Sequence, residues 1–198
     1  MNSKIKIHVD CTSFMIPILL VLEGHLADVI ALFIAAAIHE CGHLLAARLL
    51  HLPLASLRVS ILGAQLQLRD PLLSYKKEWI LCAAGPLFSM LFSLVAHLIS
   101  IVRPDPLMFE KIADASFALG LINLLPIGWL DGGRMFRAVC QLLFSPAVAR
   151  IIAKTVSFLC FLFLWMISVY LILRMGRSLS LFIFSFSIFI RFFLADGE

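Results

Sequence analysis

One short run, Ile38-His39-Glu40-Cys41-Gly42-His43-Leu44, carries three side chains that together could hold and use a metal ion. On a helix, residues four apart share a face, so His39 and His43 could present both imidazoles to the same ion. Glu40 stands beside them, placed to take a proton from a water that the ion activates and later to return it to a leaving amine. Zinc brings the pKa of such a water to about 7, which makes hydroxide available at neutral pH. The run sits inside the apolar stretch Ala27–Leu50. Ionisable groups placed in a membrane span cost about 2.5–3.5 kcal/mol each, so they are rare there and usually functional.

Two histidines leave a catalytic zinc one protein ligand short. The candidate for the third is Asp131, in Asn123-Leu-Leu-Pro-Ile-Gly-Trp-Leu-Asp-Gly-Gly133. Here an apolar segment stops at Pro126, and an aspartate flanked by two glycines comes after it. Gly132 and Gly133 permit close backbone approach or a positive φ. By itself Asp131-Gly132 reads as a turn; its pairing with the His-Glu-x-x-His run makes it a ligand, for one zinc per chain.

The elements that must bring these residues together are hydrophobic. Of 198 residues, 62% are apolar or aromatic and only 14% charged, against about 45–50% and about 25% in soluble domains. Lipid is therefore the expected solvent, and no soluble domain of useful size is visible. The reading is an all-α polytopic membrane protein of about six transmembrane segments, forming a single domain over residues 1–198 with its core at about 27–145. The segments are Cys11–Leu22, Ala27–Leu50, Trp79–Val102, Ala113–Leu125, Val148–Leu173 and Leu179–Leu194. The first and fourth are short of the roughly 20 residues a full span needs. Residues 1–10 lack the features of a removable signal peptide, so the first segment is expected to stay. With the N-terminus inside, twelve of the sixteen Lys and Arg residues fall on the cytoplasmic side, in keeping with the positive-inside rule. The second and fourth segments then run in the same direction, and their two motifs can meet towards the cytoplasmic face. The five cysteines form no CxxC pair and suggest neither a disulfide framework nor a thiolate metal site.

Between the second and third segments, Leu57, Val59 and Ile61 alternate with Arg58 and Ser60; beyond Gly63, Leu66 and Leu68 alternate with Gln65, Gln67 and Arg69. Period-two alternation on both sides of a glycine predicts a small membrane-associated β-hairpin. Its exposed edge could receive an extended substrate strand, although the pattern does not say which strand is that edge.

The pairing of His39-Glu-Cys-Gly-His43 with Asn123-x-x-Pro126 and Asp131-Gly132 resembles the site-2 protease family of intramembrane zinc metalloproteases, peptidase M50. The segment plan is similar to the branch typified by the stage IV sporulation protein FB. This resemblance, over roughly residues 5 to 175, implies that His39, His43 and Asp131 ligate zinc and that Glu40 is the catalytic acid and base. It implies that Asn123 positions substrate or stabilises the oxyanion. Ala84-Gly85-Pro86 is similar to the family's Gly-Pro element, but Ser89 stands where that element often has an asparagine. The substrates implied are membrane-anchored or membrane-associated proproteins, in this branch an inactive σ-factor precursor, and an inhibitory membrane partner is compatible with the branch. The implied location is a bacterial cell membrane, multi-pass, with the active site towards the cytoplasm. Neither a CBS nor a PDZ domain is expected.

Other features weigh less. Glu23, His25 and Asp28 cluster on the predicted outer side and read as an ordinary surface turn; His97 reads as a hydrogen-bonded structural histidine. Arg134 and Arg137 read as topology determinants, and nothing suggests nucleic-acid binding. The alternative function is a membrane metal-binding or transport protein without hydrolysis, which would leave Glu40 without a task. A catalytically silent adaptor is disfavoured because no active-site residue is missing.

Overall fold

A computed structural model describes residues 6–9, 25–52, 54–60, 63–68, 74–103 and 105–175. The expected first and last apolar segments, Cys11–Leu22 and Leu179–Leu194, lie outside these described residues, as do Cys11 and Glu23. The described helices are α1 (Leu26–Leu49), α2 (Tyr75–Val102), α3 (Leu107–Asn123), α4 (Asp131–Leu143) and α5 (Pro146–Met175). Among them α1, α2 and α5 are long and apolar enough to cross a membrane.

Helices α1, α2 and α3 form the core, with α2 antiparallel to the other two. Small residues make this possible, because backbones that approach closely gain dispersion contacts where lipid gives no hydrophobic drive. Ala31 of α1, Ala96 of α2 and Ala113 of α3 pack together at one end of the bundle, with Ile112. Ala46 and Ala47 meet Leu81 at the other. Ser93 Oγ donates to the carbonyl of Ala113 at 2.7 Å, which ties α2 to α3 within the apolar interior. Helix α3 begins six residues before the expected Ala113, because Pro106 precedes a helical turn that holds Glu110 and Lys111 at the bundle end. Helix α4 packs on α2, and α5 packs on α4.

Helix α1 ends in a reversal that turns the chain back towards the bundle. His51 takes a left-handed φ of 52°, its N–H bonds to Arg48 O at 3.2 Å, and Leu52 N–H bonds to Ala47 O at 2.9 Å. This is the Schellman arrangement with histidine where glycine is usual. Leu52 folds back against Ala46, Ala47 and Leu81.

Strands β1 (Lys6–Val9), β2 (Leu54–Ser60) and β3 (Gly63–Leu68) form a sheet in the order β1-β2-β3. β2 and β3 are antiparallel, with Leu57 opposite Leu66 and Val59 opposite Ala64. The parallel strand β1 was not expected; it pairs Ile7 with Leu57 and makes β2 the central strand. Among the described residues, the strand of the β2–β3 pair with no neighbour on its outer side is therefore β3.

A second feature absent from the expectations is helix α4. Asp131-Gly132-Gly133 reads as a turn, yet Asp131 is the first residue of a helix. The glycine pair is used here for closeness: a Cβ on Gly132 would collide with the carbonyls of Leu124 and Leu125, and one on Gly133 with that of Ile127. The first turn of α4 is thus pressed into the Leu124–Leu130 segment. An acidic first residue also complements the positive end of the helix dipole.

Candidate metal centre

His39 and His43 lie on the face of α1 turned towards α2 and α4, and both are buried. Asp131 reaches the same point from the start of α4 and is 8% exposed. Its position is fixed from below by the buried Ile127 and Leu130, which pack on Phe161 of α5, and by Ser157 Oγ, which donates to Pro126 O at 3.0 Å. The helix pair α4–α5 therefore carries the aspartate to histidines some ninety residues earlier in the chain.

Three atoms converge there. His39 Nε2 and His43 Nε2 each lie 3.0 Å from Asp131 Oδ2, and 3.2 Å from each other. Tetrahedral zinc with bonds of about 2.0–2.1 Å sets its ligand atoms about 3.3 Å apart. The three residues form a group able to hold one metal ion.

The surroundings test that fit. His43 Nδ1 lies 2.8 Å from the carbonyl of Leu81. A carbonyl only accepts, so Nδ1 carries the hydrogen and the neutral ring turns a bare lone pair, at Nε2, towards the carboxylate oxygen of Asp131. Two acceptors 3.0 Å apart in a buried site repel unless a cation or a proton lies between them. The carboxylate is also a buried charge whose ion-pair partners, among the described residues, are the two imidazoles alone. Burying such a charge without a fixed cation is costly. Both observations suit a divalent metal, and a carboxylate with two imidazoles is a donor set that zinc accepts.

Helix α2 supplies the backing. A Cβ on Gly85 would collide with the rings of His43 and His39, so only glycine lets α2 lie directly against both. At Gly42 the closeness is mutual, since a Cβ there would come within 2.7 Å of Ala84 O and of Phe88 Cβ. Pro86, inside α2, lacks the N–H that would bond to the Cys82 carbonyl, which loosens the helix beside the Leu81 acceptor. Ser89 is fully buried, with its Oγ 3.0 Å from His39 Nδ1.

The expected residues thus divide into two sets. His39, His43 and Asp131 come together. Glu40 is next to His39 on α1 and is half-buried. Asn123 is the last residue of α3, and its Nδ2 donates to Leu119 O at 2.9 Å, so the amide is engaged with its own helix. His97 is exposed on α2, where a hydrogen-bonded interior histidine was expected. Arg134 and Arg137 face Glu78 of α2, at 3.5 and 3.9 Å from its Oε1. Three contributors went unpredicted: the Leu81 carbonyl, the bare Cα of Gly85 and the Ser89 hydroxyl. Gly85 and Ser89, four positions apart on α2, are small or polar in an apolar helix, and that spacing is the signal that could have found them; Leu81 acts through its main chain and gives none.

Comparison with known proteins agrees with this arrangement. The sequence model of Peptidase family M50 matches residues 106–167, a stretch that holds Asp131 and not His39 or His43. The stage IV sporulation protein FB of Bacillus subtilis (strain 168) is 28% identical over 138 residues, which cover 66% of this chain and 46% of that protein. The chain thus spans about half the length of this curated relative. The site-2 protease from Methanocaldococcus jannaschii has a similar fold, with a TM-score of 0.74 at 18% identity, covering 96% of this chain and 91% of that one.

Proposed function

We propose that this chain, a member of peptidase family M50, is an intramembrane zinc metalloendopeptidase that hydrolyses peptide bonds of membrane-anchored or membrane-associated proproteins. The observation that carries the reading is the meeting of three buried ligand atoms, His39 Nε2, His43 Nε2 and Asp131 Oδ2, at 3.0–3.2 Å.

His39, His43 and Asp131 would hold the zinc. When bound, zinc supplies the Lewis acidity that lets a water lose its proton near neutral pH. Glu40 would take a proton from the attacking water on its carboxylate and pass it to the leaving nitrogen. The water oxygen bonds to the carbonyl carbon as the C–N bond breaks, and the carboxylate is left as it began. The burial of the two imidazoles keeps bulk water away and strengthens each electrostatic interaction inside the site. Asn123 is assigned to substrate positioning, a role that requires its amide to leave Leu119 O or to work through its oxygen.

Substrate backbone must be extended before it can be cut. We place it along the outer edge of β3, which has no neighbouring strand among the described residues and whose backbone N–H and C=O groups could accept an added strand. We assign the substrate to the class of σ-factor precursors, cut at the cytoplasmic side of a bacterial membrane under the control of an inhibitory membrane partner; the likeness to a stage IV sporulation protein supports the sporulation part of this reading.

Glu40→Gln tests the chemistry. It should lower cleavage of a co-expressed membrane-tethered precursor by about 10²–10⁴-fold while zinc content stays at one per chain. Wild-type cleavage by this variant would exclude the mechanism. In the same assay, Gln67→Pro on β3 should reduce cleavage with zinc and membrane insertion intact, because proline removes a backbone donor from a strand. Normal cleavage by that variant would move the substrate platform elsewhere.

A further inference from the structure

The two imidazoles are backed by different kinds of group on the same helix. His43 Nδ1 meets a main-chain carbonyl, Leu81 O, at 2.8 Å, and His39 Nδ1 meets a side-chain hydroxyl, Ser89 Oγ, at 3.0 Å. We propose that Ser89 is the positioning residue for His39: its hydroxyl oxygen accepts a hydrogen bond from Nδ1–H and leaves Nε2 bare for the metal. The proposal rests on the metal reading of this site.

Three features carry it. Leu81, Gly85 and Ser89 repeat every four residues, so one stripe of α2 offers an acceptor, a gap and a second acceptor, matching two rings one helical turn apart on α1. Ser89 is fully buried, so no water replaces its oxygen as the partner of Nδ1. Helix α3 closes the space behind it. A Cβ on Gly120 would come within 3.1 Å of Pro86 O and 3.2 Å of Ser89 Cβ, so the bare Cα of Gly120 lets α3 lie close against the Ser89 turn of α2.

The chemistry of the two partners also differs. A carbonyl fixes His43 in one tautomer permanently. A hydroxyl accepts or donates, so His39 can carry its proton on Nε2, towards Asp131, without metal, and on Nδ1 once metal takes Nε2. The hydroxyl then turns about its C–O bond and the ring stays in place. Outer partners of metal-bound histidine commonly govern affinity in this manner.

The test is a zinc competition titration on the full chain in detergent, for wild type, Ser89→Ala, Ser89→Thr and His39→Ala. Ser89→Ala should bind zinc about 10–100-fold more weakly, with Ser89→Thr restored to within a few-fold of wild type and His39→Ala weaker than either. Wild-type affinity in Ser89→Ala overturns the proposal. Equal weakening in Ser89→Ala and Ser89→Thr also overturns it, since the site would then be responding to packing and not to the hydroxyl. A wild-type chain that binds no zinc instead removes the metal reading itself, and that failure is seen before any variant is compared.

Discussion

Helix α1 carries histidine and acidic groups at both ends, and the two clusters meet opposite ends. Near its start, His25 Nδ1 lies 3.1 Å from Asp28 Oδ2, with side chains 55% and 39% exposed. Asp28 also pairs with Lys111 at the start of α3. Near its other end, His39 and His43 meet Asp131 in a buried site where no ammonium or guanidinium is paired with the carboxylate among the described residues. Both places join imidazole to carboxylate, though His25 and Asp28 are neighbours in sequence and Asp131 comes from another helix. Burial and the source of positive charge differ. An exposed carboxylate is satisfied by lysine and water; a buried one without lysine leaves a place for a metal ion. A motif becomes a site only where the fold withholds the ordinary partners.

The largest effect expected from this contrast is in metal content. Asp131→Ala should bring bound zinc in purified protein close to zero, as His43→Ala should, whereas Asp28→Ala should keep one zinc per chain. Plasma emission spectrometry on detergent-solubilised protein measures it directly. Full zinc in Asp131→Ala would mean that the buried group is not the metal centre and that the contrast between the clusters is accidental.

Much of this centre is legible in the sequence. His39, Glu40 and His43 announce themselves because the helical period puts positions four apart on one face. Asp131 emerges as the polar residue at membrane depth that could complete the set. The strands β2 and β3 are signalled by the alternation around Gly63. The hidden elements have a common physical cause, namely dependence on partners far away in sequence. Helix α4 is masked by Gly132 and Gly133, which look like a turn until Leu124, Leu125 and Ile127 are seen pressing on them. Strand β1 does alternate polar and apolar residues over Lys6–Val9, but a run of four is too short to announce a strand until β2 is there to pair with it. His51 is unremarkable as a letter and is held left-handed by the bonds that close α1. Ser89 stands out only as a departure from a family pattern; that it faces His39 is a fact about how α1 and α2 cross.

The smallest effect expected is at Lys111, and it separates the two differences on which the contrast rests. Burial and lysine vary together between the clusters, so either could be what keeps metal away from His25 and Asp28. Lys111→Met removes the ammonium and leaves the exposure as it was. A partly exposed ion pair is worth about 0.2–1 kcal/mol, because water screens the charges and two long side chains lose freedom on pairing. The melting temperature should therefore fall by only a few degrees, at roughly 2–4 °C per kcal/mol for a chain of this size. If exposure is decisive, the variant should still bind a single equivalent of zinc and cut substrate at the wild-type rate. His25 and Asp28 supply two ligands, open to solvent, where water competes for every coordination position. A second equivalent bound with micromolar affinity would show the reverse: that lysine alone kept the outer cluster from becoming a metal site, and that burial is not what distinguishes the inner one.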